Sequence, residues 1–200
     1  MAPQRLPPEK PKATLSEVLE YIKKAGYELD FTAANVWVVA YRHYYSKLPK
    51  NNACACACWV LWQEKGELRY EPFNHNTVPS FYNPNGKEGL GTAELVPGLY
   101  DYKIGLHKKV QSALVQAAPV KVKRIGKDGK VRIESLPSSI NIHKCSANQA
   151  AKDYAWSKGC QTKPPLQHEA FMTLIALKAG GKNAVKYLLL DPNKEKEPNE

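Results

Sequence analysis

The residues best placed to do chemistry lie in one stretch of the C-terminal half. It runs Ile140-Asn141-Ile142-His143, then a polar connection, then Trp156-Ser157-Lys158-Gly159-Cys160-Gln161. A strand that ends in histidine and a Gly-Cys turn can bring an imidazole within hydrogen-bond reach of a thiol. Such a pair makes the thiolate, the nucleophilic form of cysteine, at neutral pH. Gly159 lets the backbone approach a substrate carbonyl with no side chain in the way, and the N–H groups around Cys160 are candidates for an oxyanion hole. Singly, a histidine or a free cysteine is more often a packed structural residue than a catalyst. The joint pattern points to nucleophilic catalysis, with Cys160 as nucleophile, His143 as base and Gly159 as part of the catalytic turn.

The pattern resembles the catalytic motif of the L,D-transpeptidase (YkuD-like) family, a histidine followed some sixteen positions later by Ser-x-Gly-Cys. Here the interval from His143 to Cys160 is seventeen positions, and Ser157-Lys158-Gly159-Cys160 fits the second half of the motif. Pro97-Gly98-Leu99-Tyr100 is similar to the Pro-x-Gly-x-Tyr/Phe strand entry of that family. Gly105-Leu106-His107, Asn141-Ile142-His143 and Trp156 to Gln161 resemble most closely a divergent, phage-associated branch. The family commonly has Gly after the motif His and Arg two places after the Cys, whereas this chain has Lys144 and Thr162, which points to a changed specificity.

The resemblance implies a β-sandwich or barrel of L,D-transpeptidase type and an acyl-enzyme on Cys160, formed at the carbonyl of a diaminopimelate-like residue that precedes a D-amino acid. The acyl group then passes to an amine or to water, in a wall-building or a lytic, endolysin-like role. A backbone carbonyl orients the far nitrogen of the histidine, so a third acidic residue is not required. Ser157, Trp156, His107, Gln161 and Tyr100 become candidate substrate contacts. No cofactor and no metal is implied, and the expected partner is the peptide stem of peptidoglycan.

The elements that must hold this pair in place can be read from pattern. Residues 1–13 carry four prolines and no apolar period, and read as a flexible tail. Thr14-Leu-Ser-Glu17 is a capping box for a short amphipathic helix closed by Gly26. Strands are expected over Asn35–Tyr45, Cys54–Trp62 and Glu67–Tyr70, the last two joined by a turn at Lys65-Gly66. Phe73–Gly91, rich in Asn, Pro and Gly, reads as loop. Further strands are expected at Leu99–Ile104, Pro119–Arg124, Ile140–His143 and Val185–Leu190, and a helix over Gln167–Ala179. With many strands and no βαβ alternation, the class is mostly β (β-rich α+β) with a short N-terminal and a C-terminal helix. The organisation expected is a tail (1–13), a helix and strands packed on the domain (14–72), the catalytic region (73–192) and a disordered tail (193–200).

The excess of 29 Lys+Arg over 19 Asp+Glu, a formal charge of +10, suits an anionic partner such as a cell-wall polymer. It leaves a second reading open, a catalytically inactive basic protein that binds wall or nucleic acid on the same fold. Nucleic acid is disfavoured by the lack of an RNP-like motif, a helix-turn-helix or a zinc knuckle. The N-terminus has no apolar h-region and no stretch is long enough to span a membrane. A wall enzyme of this kind is therefore expected in the producing cell's cytoplasm, reaching the periplasm or wall by a phage-type or other non-secretory release. Five cysteines is an odd count that argues against a closed disulfide framework. Cys54, Cys56 and Cys58 alternate on a strand, roughly 7 Å apart, too far to converge on one zinc, and read as core residues. Cys145 reads as a partly buried bystander, and His75 and His168 have no motif around them.

Overall fold

The computed structural model describes residues 12–42, 56–77, 79, 89–145, 157 and 159–191. The chain opens with helix α1 (Leu15–Lys24), set by the expected capping box: the Thr14 hydroxyl accepts from the Glu17 N–H (3.3 Å), and the Glu17 carboxylate accepts from the Thr14 N–H (2.6 Å). Strands β1 (Val36–Tyr41), β2 (Cys56–Glu64), β3 (Glu67–His75), β4 (Glu94–Leu95), β5 (Gly98–His107), β6 (Gln111–Gln116), β7 (Val120–Ile125), β8 (Val131–Leu136), β9 (Ile142–Lys144) and β10 (Gln161–Lys163) follow. Helix α2 (Pro165–Lys178) and strand β11 (Ala184–Leu190) complete the described elements. The class is mostly β, with one helix near each end.

Eight strands form one sheet in the order β10-β9-β6-β5-β11-β1-β2-β3, and β4-β7-β8 form a second. The large sheet curls until its edges meet. Asn76, just past β3, pairs with Thr162 of β10 through backbone bonds of 2.8 and 3.0 Å. Joining the two edges in this way removes unpaired ladder groups at the seam.

Alternation along the central strand β1 explains its unbroken apolar sequence. Val36, Val38 and Ala40 face a core shared with Phe171, Met172 and Ile175 of α2. Trp37 and Val39 face the opposite side, where Val18 and Ile22 of α1 cover them. A strand buried on both faces has no polar side to show. Arg42, directly after β1, is 1% exposed and ties the two sheets together, donating to the carbonyls of Thr77 (2.9 Å) and Leu95 (2.8 Å) and to the Glu94 carboxylate (2.9 Å).

Several boundaries differ from those expected. The first strand ends at Tyr41, and residues 43–45 lie outside the described residues, as do residues 1–11 and 193–200 of the two expected tails. Strand β3 runs to His75, five residues beyond the expected end at Tyr70, so the 73–91 segment does not begin as loop. Its polar residues find partners inside: the Asn74 N–H donates to Gln167 Oε1 (2.7 Å), and His75 Nε2 bonds the Tyr187 hydroxyl (3.1 Å). The strand expected at Ile140–His143 lies at Ile142–Lys144, and β4, β6, β8 and β10 are additional strands. The expected boundary at residue 72 does not divide the sheet, because β11 pairs with both β1 and β5. Among the described residues no helix is long and apolar enough to cross a membrane.

Candidate active site

Two adjacent parallel strands bring the sequence-distant histidine and cysteine together. Strand β9 pairs with β10 in the register Ile142↔Gln161, His143↔Thr162 and Lys144↔Lys163, and the Gln161 N–H donates to the Asn141 carbonyl (2.9 Å). Cys160 sits one residue before β10. Alternation sends Ile142 to the core and leaves Asn141 and His143 on the other face. His107, the last residue of β5, joins them there: its ring stacks on that of His143, centroids 4.0 Å apart and planes 12° apart. By the same alternation Gly105 shares this face, where a Cβ would lie 2.8 Å from Val115 Cγ2, so the glycine lets Val115 of β6 pack close. One ring nitrogen of each histidine and the Cys160 sulfur all lie within 4.8 Å of one another.

Each ring has a fixed orientation. His143 Nδ1–H donates to the Lys144 carbonyl (2.6 Å), which leaves Nε2 as the nitrogen free to take a proton. His107 Nδ1 bonds the side-chain amide of Asn141 (3.1 Å). Burial lowers the pKa of His143 to about 4, assisted by His107, His168 and Lys108 and opposed by the Lys144 carbonyl. Burial also lowers His107, with Lys108 adding to the effect.

The Cys160 turn is built by its neighbours. The Ser157 hydroxyl donates to the Cys160 carbonyl (2.6 Å) and accepts from the Gly159 N–H (3.1 Å). Gly159 has φ +146°, and a Cβ there would lie 3.0 Å from the Ala93 carbonyl oxygen and 3.2 Å from Ile140 Cδ1. Glycine is therefore required both by conformation and by space. The half-buried Cys160 thiol donates to the Ser139 carbonyl (3.1 Å) and accepts from the Asn141 N–H (3.5 Å). Ser139 itself has φ +95°, a strained value for a residue with a side chain. Burial pushes the Cys160 thiol up, with the Asn141 N–H and Lys108 pulling the other way.

These findings correct two expectations. The resting pair is a neutral thiol beside a neutral imidazole, because burial penalises both charged forms, so a preformed thiolate at neutral pH does not follow. Gly159 spends its N–H on Ser157 and so does not offer it to an oxyanion. Of the candidate substrate contacts, His107 is at the site, and Ser157 shapes the turn. Gln161 is fully buried, with its carbonyl accepting from Tyr187 (3.1 Å) and its NH2 donating to Thr77 (3.3 Å), and it faces the interior. Tyr100 is turned to the Val96 carbonyl (2.6 Å), while Tyr102 two residues on donates to Ile140 (2.8 Å) beside the Cys160 turn. Trp156 lies outside the described residues. Thr162, where the family pattern has Arg, is fully buried at the sheet seam, a place that would not accommodate a guanidinium reaching substrate.

Asn141 is the site residue to which the sequence reading gave no role. The available signal was its i, i+2 spacing from His143, which places both on one strand face. Cys58 and Cys56 are buried in β2, and Cys56 bonds the Thr77 hydroxyl (3.2 Å); Cys54 lies outside the described residues. Cys145 is buried, its N–H donating to Lys163 (3.0 Å). His75 and His168 are buried as well. An open groove of about 710 Å³ runs along β6 and α2, lined by Ile104, Gln111, Ser112, Lys144, His168 and Met172, and adjoins the site at Lys144. Comparison with known proteins finds no family model, no curated protein and no solved structure that matches this chain.

Proposed function

We propose that this chain is a cysteine-dependent acyl-transfer enzyme of L,D-transpeptidase type, a hydrolase or transpeptidase of peptidoglycan stem peptides. The observation that carries the reading is the convergence of Cys160 with an imidazole whose far nitrogen is tied to the Lys144 carbonyl, leaving a nitrogen free for the thiol proton. In the resting state the thiol proton stays on sulfur and points to the Ser139 carbonyl. As a substrate carbonyl enters, the thiol turns to His143, the imidazole takes the proton, and sulfur attacks carbon to form a tetrahedral oxyanion. The Cys160 N–H is the donor the turn leaves for that oxygen. The imidazolium then returns the proton to the departing amine. A second amine, or water, releases the acyl group from Cys160 by the reverse route. His107, stacked on His143, fixes the plane of the base.

Incubation with purified peptidoglycan, with products read by mass spectrometry, tests the proposal. Shortened or cross-linked stem peptides should appear with the wild type and vanish with Cys160→Ala. His143→Ala should cost nearly as much, because residues that act as a unit fail together. Full activity of Cys160→Ala would place the nucleophile elsewhere.

A further inference from the structure

We propose that strand β8 is a dimerisation edge, at which a second copy of this chain adds its own β8 antiparallel and joins the two small sheets into one. The large sheet closes its edges on each other where Asn76 pairs with Thr162. In the small sheet, edge strand β4 has only two residues, whereas β8 has six and, among the described residues, pairs with β7 alone. Edge strands are ordinarily blunted by proline, lysine, a bulge or shortness. Val131–Leu136 uses none of these, and its ladder with β7 is continuous from Ile125↔Val131 to Val120↔Leu136. Val131 and Ile133 are 61% and 65% exposed, two apolar side chains on the outward face of an open edge.

The hairpin fixes which backbone groups that edge presents. The Gly126 N–H donates to the Lys130 carbonyl (3.3 Å), so the bonded pairs beyond it fall at alternate positions: Arg124 with Arg132, Val122 with Glu134, Val120 with Leu136. The N–H and C=O groups of Val131, Ile133 and Ser135 therefore point away from β7. A two-fold axis at Ile133 sets that residue opposite itself and Val131 opposite the second copy's Ser135, each pair exchanging backbone bonds. The same register sets Arg132 opposite the second copy's Glu134, in the non-bonded pairs where side chains approach most closely, and symmetry repeats the match. Within each chain Arg132 already pairs with Asp128, and Glu134 with Arg124, so dimerisation joins the two ion pairs into a row of alternating sign.

Each copy carries a formal charge of +10, which opposes association. Lys123 lies opposite Ile133 on β7, which puts it three strand spacings, about 14 Å, from its counterpart in the dimer and beyond the screening length of about 8 Å at physiological ionic strength. Pairing along one short strand makes a small interface, so the dimer is weak and forms as concentration rises.

Sedimentation equilibrium on the full chain, from low micromolar to near millimolar concentration, should show a reversible monomer–dimer equilibrium. Residue-resolved amide exchange at the two ends of that range locates the contact. The N–H groups of Val131, Ile133 and Ser135 should slow as dimer forms, while those of Arg132 and Glu134, already bonded to β7, keep their rates. Ile133→Lys, at an exposed position, should weaken dimerisation about tenfold or more by setting like charges opposite each other, with the thermal midpoint of the monomer unchanged. A monomer throughout the range would overturn the proposal, as would a dimer in which those three amides exchange at the monomer's rate, or amides already protected in the dilute monomer. The wild-type exchange pattern decides even if the variant fails to fold.

Discussion

At Cys160 and His143 the decisive effect is desolvation. An exposed pair of this kind gains from becoming an ion pair, but here burial disfavours thiolate and imidazolium alike and carries His143 down to about 4. In the proposed acyl transfer His143 is therefore unprotonated, as a base must be, throughout the neutral range. The free-enzyme pH profile of kcat/KM should show its acid limb near pH 4, with activity lost as pH falls through that value. An acid limb at pH 6–7 would mean an imidazole in contact with solvent. Gly159 offers a test of the turn that presents the sulfur. Gly159→Ala forces an L residue to φ +146° and a methyl to 3.0 Å from the Ala93 carbonyl, so chemical denaturation should show a loss of about 1–3 kcal/mol. An unchanged midpoint would show that the turn relaxes freely.

Among the elements, those with strong local signals were legible in advance and those defined by their partners were not. Thr14 and Glu17 announced α1, the unbroken aromatic and β-branched run of Val36–Tyr41 announced β1, and Phe171, Leu174 and Ile175 announced α2. Strands β9 and β10 are three residues long, too short for a period to emerge, and exist because each satisfies the other's backbone. In β3, Phe73 and Asn74 fall in the segment that reads as loop, but Gln167 and β2 supply the contacts that override local preference. His143 and Cys160 were legible as a pair, since their residue types and context do not depend on the strand boundaries. Asn141 was not assigned a role, and Gln161 and Tyr100 were placed at the site by motif alone. Their side chains turn instead to Tyr187, Thr77 and Val96, which no local pattern could reveal. Arg42 marks where the two sheets depend on one side chain. Arg42→Ala strips donors from the Thr77 and Leu95 carbonyls and a cation from Glu94, and should cost about 3 kcal/mol or more in urea denaturation. A loss under about 1 kcal/mol would show that water takes its place.

For the molecule as a whole, buried histidines set the response to acid. His75, His143 and His168 are held neutral by burial, the latter two at about 4. A base whose folded pKa lies below its unfolded value of 6.5 takes up a proton on unfolding between those two values. Stability is then complete above about pH 6.5 and is lost as pH falls toward 4. As pH falls from 7 to 5, where carboxylates contribute little, the protons taken up per chain on unfolding should rise from under about one to between about two and three, and a flat profile would contradict the burial of these rings.

The central claim, a sulfur nucleophile in a chain otherwise rich in buried thiols, is tested most directly by catching the intermediate. The protein should be mixed with a stem tetrapeptide, quenched in acid within the first turnover, and measured by intact mass and peptide mapping. The account predicts one added acyl group, carried by Cys160 alone and missing from Cys160→Ala. Product formation with no adduct, or an adduct on any other residue, would contradict it.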